Sequence, residues 1–172
     1  MKADLFRYCV IYTWGGLYTD VDTICLHDPI VWTSSTQSEL VIAPENNVHL
    51  CQWTFAASVE SPFLKSVIDM VCSRIENAKG DFSIYGEHFV HVTTGPAVFT
   101  QAIEDQLRRY DLPVFCPGDM LKYENYPYER LKVFSKDYFN EKLVEHMFTG
   151  NKGWLKLPER KQIVQQWRKR EK

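Results

Sequence analysis

The chain has 172 residues, 45% hydrophobic and 14% aromatic, with a formal net charge of −2. That supports one packed domain, excludes a disordered or collagen-like chain, and offers no global positive field for nucleic acid. No apolar run reaches the ~18 residues of a spanning helix, and no basic start leads into an apolar signal segment. The five cysteines, Cys9, Cys25, Cys51, Cys72 and Cys116, include no CxxC pair. They read as free, mostly buried thiols in a reducing compartment; with no signal or spanning segment seen, the expectation is cytoplasmic, or the Golgi lumen if the chain is part of a longer membrane-anchored protein.

Residues 2–14, KADLFRYCVIYTW, predict a helix with Leu5, Phe6, Cys9, Val10 and Thr13 on one stripe and Asp4 and Arg7 sharing a neighbouring face. Gly15 and Gly16 end it, and Leu17–Thr19 predict a short buried strand running into Asp20-Val21-Asp22. Residues 39–43, ELVIA, predict a second buried strand. Ser61-Pro62 opens a helix through Phe63, Leu64, Val67, Ile68, Val71 and Ile75. Residues 77–86 read as a polar loop, and Thr93-Thr94-Gly95-Pro96 leads a helix to residue 109. Pro113–Cys116 reads as a strand, 121–140 as irregular surface with short strands, and 144–154 as a loop. The tail, 158–172, is a cationic helix with Ile163, Val164 and Trp167 on its apolar face. Strands alternating with helices place the chain in the α/β class.

Two carboxylates two apart on a strand share a face, and a strand's C-terminal end is where open α/β sheets bind ligands. Held close, Asp20 and Asp22 repel unless a cation lies between them, and oxygen ligands suit Mg²⁺ or Mn²⁺. A lone DxD is common in loops; here it follows GGLYT and a helix carrying Asp4 and Arg7.

That stretch, KADLFRYCVIYTWGGLYTDVDT, resembles the sugar-binding region of DxD-containing glycosyltransferases, nearest to glycosyltransferase family 32. The shared form aDxxRYxxLxxxGGxYxDxD is met at Ala3, Asp4, Arg7, Tyr8, Gly15, Gly16, Tyr18, Asp20 and Asp22, with Ile11 in place of Leu. SVESPFLKSVIDMV, TTGPAVFT and HMFTGNKGW resemble further family segments, so the likeness runs from residue 2 to about 154. It implies a single GT-A-like domain over 1–172, with a Rossmann-like mixed sheet flanked by helices. The sugar and metal core would span 2–154 and the terminal helix 158–172. It implies a metal-dependent, retaining transfer of a hexose from a nucleotide-sugar to a glycan, lipid or polysaccharide acceptor. Asp20 and Asp22 would be catalytic, holding Mn²⁺ or Mg²⁺ with His146 completing the metal or diphosphate site. Asp4, Arg7, Gly16, Tyr18, Thr94, Gly95 and Trp154 would bind the donor sugar, Trp154 from a closing loop.

Other readings stay open. Asp4 and Arg7 make, at the least, an i,i+3 surface pair worth about 0.3 kcal/mol. His146 is otherwise a hydrogen-bonded structural histidine, as His88 and His91 are read to be. The tail is a packed helix with a solvated face or a peripheral contact with anionic lipid. The family's usual N-terminal nucleotide-binding segment is expected to be missing. That leaves two alternatives, a weak or inactive sugar-binding module and a partner chain that supplies strands. Paired aspartates also serve phosphohydrolases, against which the GGxYxDxD context argues.

Overall fold

A computed structural model describes residues 1–33, 38–114 and 129–147. The chain opens with helix α1 (Lys2–Trp14), ended by Gly15 at φ +66° and ψ −169°, a conformation essentially reserved for glycine. A Cβ there would lie 3.0 Å from the Val59 backbone nitrogen. The predicted stripe holds in part, with Leu5 and Val10 packed half-buried against the core, but the fully buried residues lie beside it. Arg7, Tyr8 and Ile11 turn inward, while Phe6 is 65% exposed. Tyr8 stacks on Phe99 with ring centroids 5.5 Å apart, and its hydroxyl reaches the Thr94 carbonyl. The inward face is therefore set by hydrogen bonds and ring stacking, which an apolar count does not register.

Strands β1 (Gly16–Thr19) and β2 (Thr23–Cys25) follow, then α2 (Pro29–Thr33), β3 (Leu40–Ile42) and β4 (Thr54–Ala57). Helix α3 (Pro62–Ala78) is capped by the Ser61 side chain, which accepts from the Leu64 amide, with Pro62 in the first turn. Its Phe63, Leu64, Val67 and Val71 are buried, each contributing roughly 1.5–3 kcal/mol of apolar burial. The predicted loop at 77–86 holds the end of α3 and a 3₁₀ turn (Phe82–Tyr85). Helices α4 (Phe89–Thr93) and α5 (Pro96–Arg109) lead on to β5 (Leu131–Val133), α6 (Lys136–Tyr138), a π turn (Phe139–Leu143) and β6 (Val144–His146). The predicted loop at 144–154 thus begins as a strand. Pro113 and Val114, predicted extended, lie in no strand. Cys116, Lys152, Trp154 and the tail fall outside the described residues.

The main sheet has the order β1-β4-β3-β5, antiparallel except for the parallel β3–β5 pair. One face carries Leu40, Ile42, Phe55, Ala57, Leu131 and Val133 against α1, α3 and α5. The other carries Val41, Ala43, Trp53 and Ala56 against Trp32, Phe139, Leu143 and Val144. This is a mixed sheet flanked by helices, as the α/β reading expected. Strand β1 lies at the edge of the described sheet and is only half-buried, so the expectation of a buried strand ahead of the aspartates is corrected. A second sheet pairs β2 with β6 antiparallel, setting Thr23 opposite His146. Among the described residues no helix is long and apolar enough to cross a membrane.

The connection from β3 to β4 brings His49 to His91 of α4, with Nε2 atoms 3.2 Å apart and rings nearly perpendicular. Asn46 shapes this loop by accepting the Val48 and His49 amides. Two imidazoles can share that contact only when one offers N–H and the other a lone pair, so a second proton breaks it. Burial first, and His91 second, lower the His49 pKa. The pair's contribution is therefore complete above the ordinary histidine pKa of about 6.5 and is lost as pH falls below it. The melting temperature is expected to fall between pH 7.5 and 5.5, and to fall less in His49→Gln. Equal falls in both proteins would clear the pair of this role.

Candidate metal centre

Strand β1 does not continue through the DxD. The Asp20 amide donates to the Trp53 carbonyl at 2.8 Å, and the Thr23 amide and hydroxyl donate back to the Asp20 carbonyl at 3.2 and 2.7 Å. The result is a tight turn with Val21 at its tip, 95% exposed. The two carboxylates are thus brought together by a chain reversal, and the expected shared strand face is corrected. The reversal feeds β2, whose pairing with β6 delivers His146. The Met147 amide donates to the Asp22 carbonyl at 2.7 Å and locks that end. Asp20, Asp22 and His146 each offer a ligand atom, all within 4.8 Å of one another. His146 Nε2 lies 3.5 Å from Asp22 Oδ1.

Behind this cluster Arg7 is buried and joins two carboxylates. Its Nη2 is 3.2 Å from Asp4 Oδ1 and its Nη1 is 3.1 Å from Asp20 Oδ1. Nη1 also donates to the Gln52 carbonyl at 3.1 Å, Nε to the Ala3 carbonyl at 3.5 Å, and the guanidinium lies over the Tyr18 ring. Of the five N–H directions of an arginine, four are thus spent inside the protein. Tyr18 donates its hydroxyl to Asp20 Oδ1 at 2.7 Å, and burial, then that bond, push its pKa up to about 12. The phenol therefore stays protonated and keeps donating.

Thr94 and Gly95 have a different standing. Thr94 is fully buried, its hydroxyl donating to Asp4 Oδ2 at 2.8 Å while its carbonyl receives Tyr8. It reaches a ligand only through Asp4. At Gly95 a Cβ would lie 2.8 Å from His91 Cα and 3.0 Å from its carbonyl oxygen, so the glycine lets α4 pack on the start of α5. Both obstructing atoms are backbone. Gly95→Ala is expected to destabilise the protein by about 1–3 kcal/mol through overpacking, read as a lower urea midpoint. A midpoint equal to wild type would mean the packing is looser than the geometry states. Gly16 opens β1 at the end away from Asp20. It lines a cavity of about 280 Å³ with Leu17, Val41 and Ser58, and is not brought to the cluster.

Residues 1–40 match a family described as a glycosyltransferase sugar-binding region containing a DXD motif. Over that stretch the chain resembles the DXD glycosyltransferases. Two similar curated proteins are the initiation-specific alpha-1,6-mannosyltransferases of Candida albicans and Schizosaccharomyces pombe. The first is 28% identical, covering 60% of this chain and 34% of the relative. The second is 30% identical, covering 62% and 32%. A solved structure, PaToxG Glycosyltransferase, aligns with a TM-score of 0.50 at 23% identity, over 62% of this chain and 34% of its own, a likeness of fold. The chain thus spans about a third of the length of each relative.

The donor set of Asp20, Asp22 and His146 suits a divalent ion. Burial lowers the His146 pKa, outweighing the opposing pull of Asp22 and Asp20, so the imidazole is neutral, the form that ligates. Its contact with Asp22 is accordingly not an ion pair at neutral pH. With one Asp20 oxygen held by Tyr18 and Arg7, the other completes two carboxylates and an imidazole, a set that fits Mn²⁺ as well as Mg²⁺.

Sequence reasoning missed Gln52 and Trp53, just before β4. The Gln52 carbonyl anchors Arg7, and its side-chain amide meets the Tyr8 hydroxyl. The Tyr8 hydroxyl thus lies between the Gln52 side chain and the Thr94 carbonyl, the latter 2.9 Å away. Trp53 holds Asp20 through its carbonyl. Main-chain acceptors leave no residue-type signal, which is why neither position stood out. Glu45 also lies in the field of Asp20, its pKa raised by burial first and by Asp20 second.

Proposed function

We propose that this chain is the metal- and sugar-binding part of a metal-dependent glycosyltransferase that moves a hexose from a nucleotide-sugar to a glycan, lipid or polysaccharide acceptor, with retention at the anomeric carbon. The observation that carries the reading is the Asp20–Asp22–His146 donor set within 4.8 Å, joined through Arg7 to Asp4. Retention rests on the resemblance to family 32. Mannose is the first hexose to test, because two similar proteins are named mannosyltransferases.

Asp20, Asp22 and His146 would hold Mn²⁺ or Mg²⁺. Such an ion supplies Lewis acidity toward the charge that grows on a departing diphosphate. The chain's own residues do the rest. Arg7 and Tyr18 fix Asp20, and Thr94 and Arg7 orient the Asp4 carboxylate. Asp4 keeps lone pairs for sugar hydroxyls, and the remaining Arg7 N–H is the polar group beside it. Release of nucleoside diphosphate from a panel of UDP- and GDP-sugars with Mn²⁺, blanked by Asp22→Asn, tests the reading. Metal-dependent release is the expected result. No release from any donor, with sugar binding retained, would leave a binding module of the same fold.

A further inference from the structure

We propose that Trp53 is a positioning residue for the metal centre, helping to hold its two halves in register through both its carbonyl and its side chain. The proposal rests on the metal reading of Asp20, Asp22 and His146. Those three residues sit where two sheets meet. Asp20 follows the end of β1 in the main sheet, whereas Asp22 directly precedes β2 and His146 ends β6 of the second sheet. Trp53 touches both halves. Its carbonyl accepts the Asp20 amide at 2.8 Å, and its indole meets the His146 ring edge-on, with centroids 4.6 Å apart at 66°.

The indole is itself fixed. It is 6% exposed and packs on Phe139 with centroids 6.0 Å apart, inside the cluster that covers the second face of the main sheet. Its N–H has no acceptor among the described residues. A buried donor left unmade costs stability that a phenylalanine would not incur, so hydrogen bonding does not explain a tryptophan here. Its reach does: the ring spans from the sheet to the imidazole. Ligands held only by short strands need such outer support, and losing it weakens metal affinity about 10–100-fold.

The test compares Trp53→Leu, Trp53→Phe and Trp32→Leu in the full chain. Trp32 is a buried tryptophan of the same cluster, so its variant reports the cost of a lost indole there. Mn²⁺ binding is read by electron paramagnetic resonance. The His146 ring resonances are read by NMR in metal-free protein, identified by their loss in His146→Gln. Trp53→Leu is expected to weaken Mn²⁺ about tenfold and to shift and broaden the His146 resonances. Trp53→Phe, which keeps an aromatic ring, should lose less on both readouts, and Trp32→Leu should lower the melting temperature while moving neither. Unchanged affinity and unchanged His146 resonances in Trp53→Leu would overturn the proposal, as would equal changes in Trp32→Leu. A wild type that ignores Mn²⁺ overturns the metal reading instead, and the metal-free spectra tell the two failures apart.

Discussion

Asp22→Asn is expected to abolish the response to Mn²⁺ while leaving the metal-free fold nearly intact. The turn that carries Asp22 is closed by main-chain bonds at Asp20, Thr23 and Met147, none of which uses the Asp22 carboxylate. Asparagine keeps the shape and removes the charge that a hard cation needs. At a hundredfold excess over Kd, a ligand that binds only the native state adds about 2.7 kcal/mol, or roughly 5–10 °C in Tm for a chain of this size. Wild type should show that rise and the variant none. Nucleoside diphosphate release should fall at least about a hundredfold, since several kcal/mol of charge stabilisation depends on the bound ion. A variant that still melts higher with Mn²⁺ would move the metal site elsewhere.

Arg7→Ala should be among the most damaging single changes in the molecule. Removing the guanidinium leaves Asp4 and Asp20 facing each other without their shared cation and frees the Gln52 carbonyl. Stranding a partner of a buried ion pair costs 3–5 kcal/mol in well-enclosed cases, and partial exposure of the two carboxylates reduces this to about 2–4. The melting temperature should drop by roughly 5–15 °C. Arg7→Lys should recover little, because a point charge cannot replace a fork that serves two carboxylates and two carbonyls. Donor binding and free diphosphate binding should then weaken together, through Asp20. A selective loss of donor-sugar affinity, at unchanged stability, would restore the simpler view of Arg7 as a direct sugar contact.

What the sequence discloses follows the range of the forces involved. Helices α3 and α5 announce themselves because Ser61-Pro62 and Gly95-Pro96 are local signals and their apolar periods are long. Strand β4 stays hidden because both faces of TFAA are buried and no alternation survives. Strands β2 and β6 stay hidden because each is three residues long and has its partner at the far end of the described chain. At the site, Asp4, Arg7, Asp20 and Asp22 are legible as a motif. Whether Arg7 faces a sugar or a carboxylate is not, because that depends on where its five donors end in space. Thr94 and Gly95 show the same limit, since a short motif does not say which of its residues is covered.

The β2–β6 pairing also governs the order in which this site can come into being. During synthesis the DxD turn leaves the ribosome well before β6 and His146, with most of the described chain between them. Closing so long a loop is entropically costly and is recovered only when β6 docks. Until then Asp20 has Arg7 and Tyr18 for company, and Asp22 has no strand to set it. The Asp20–Asp22–His146 cluster is thus a late product of folding, and a nascent chain displays its acidic motif before that cluster is complete.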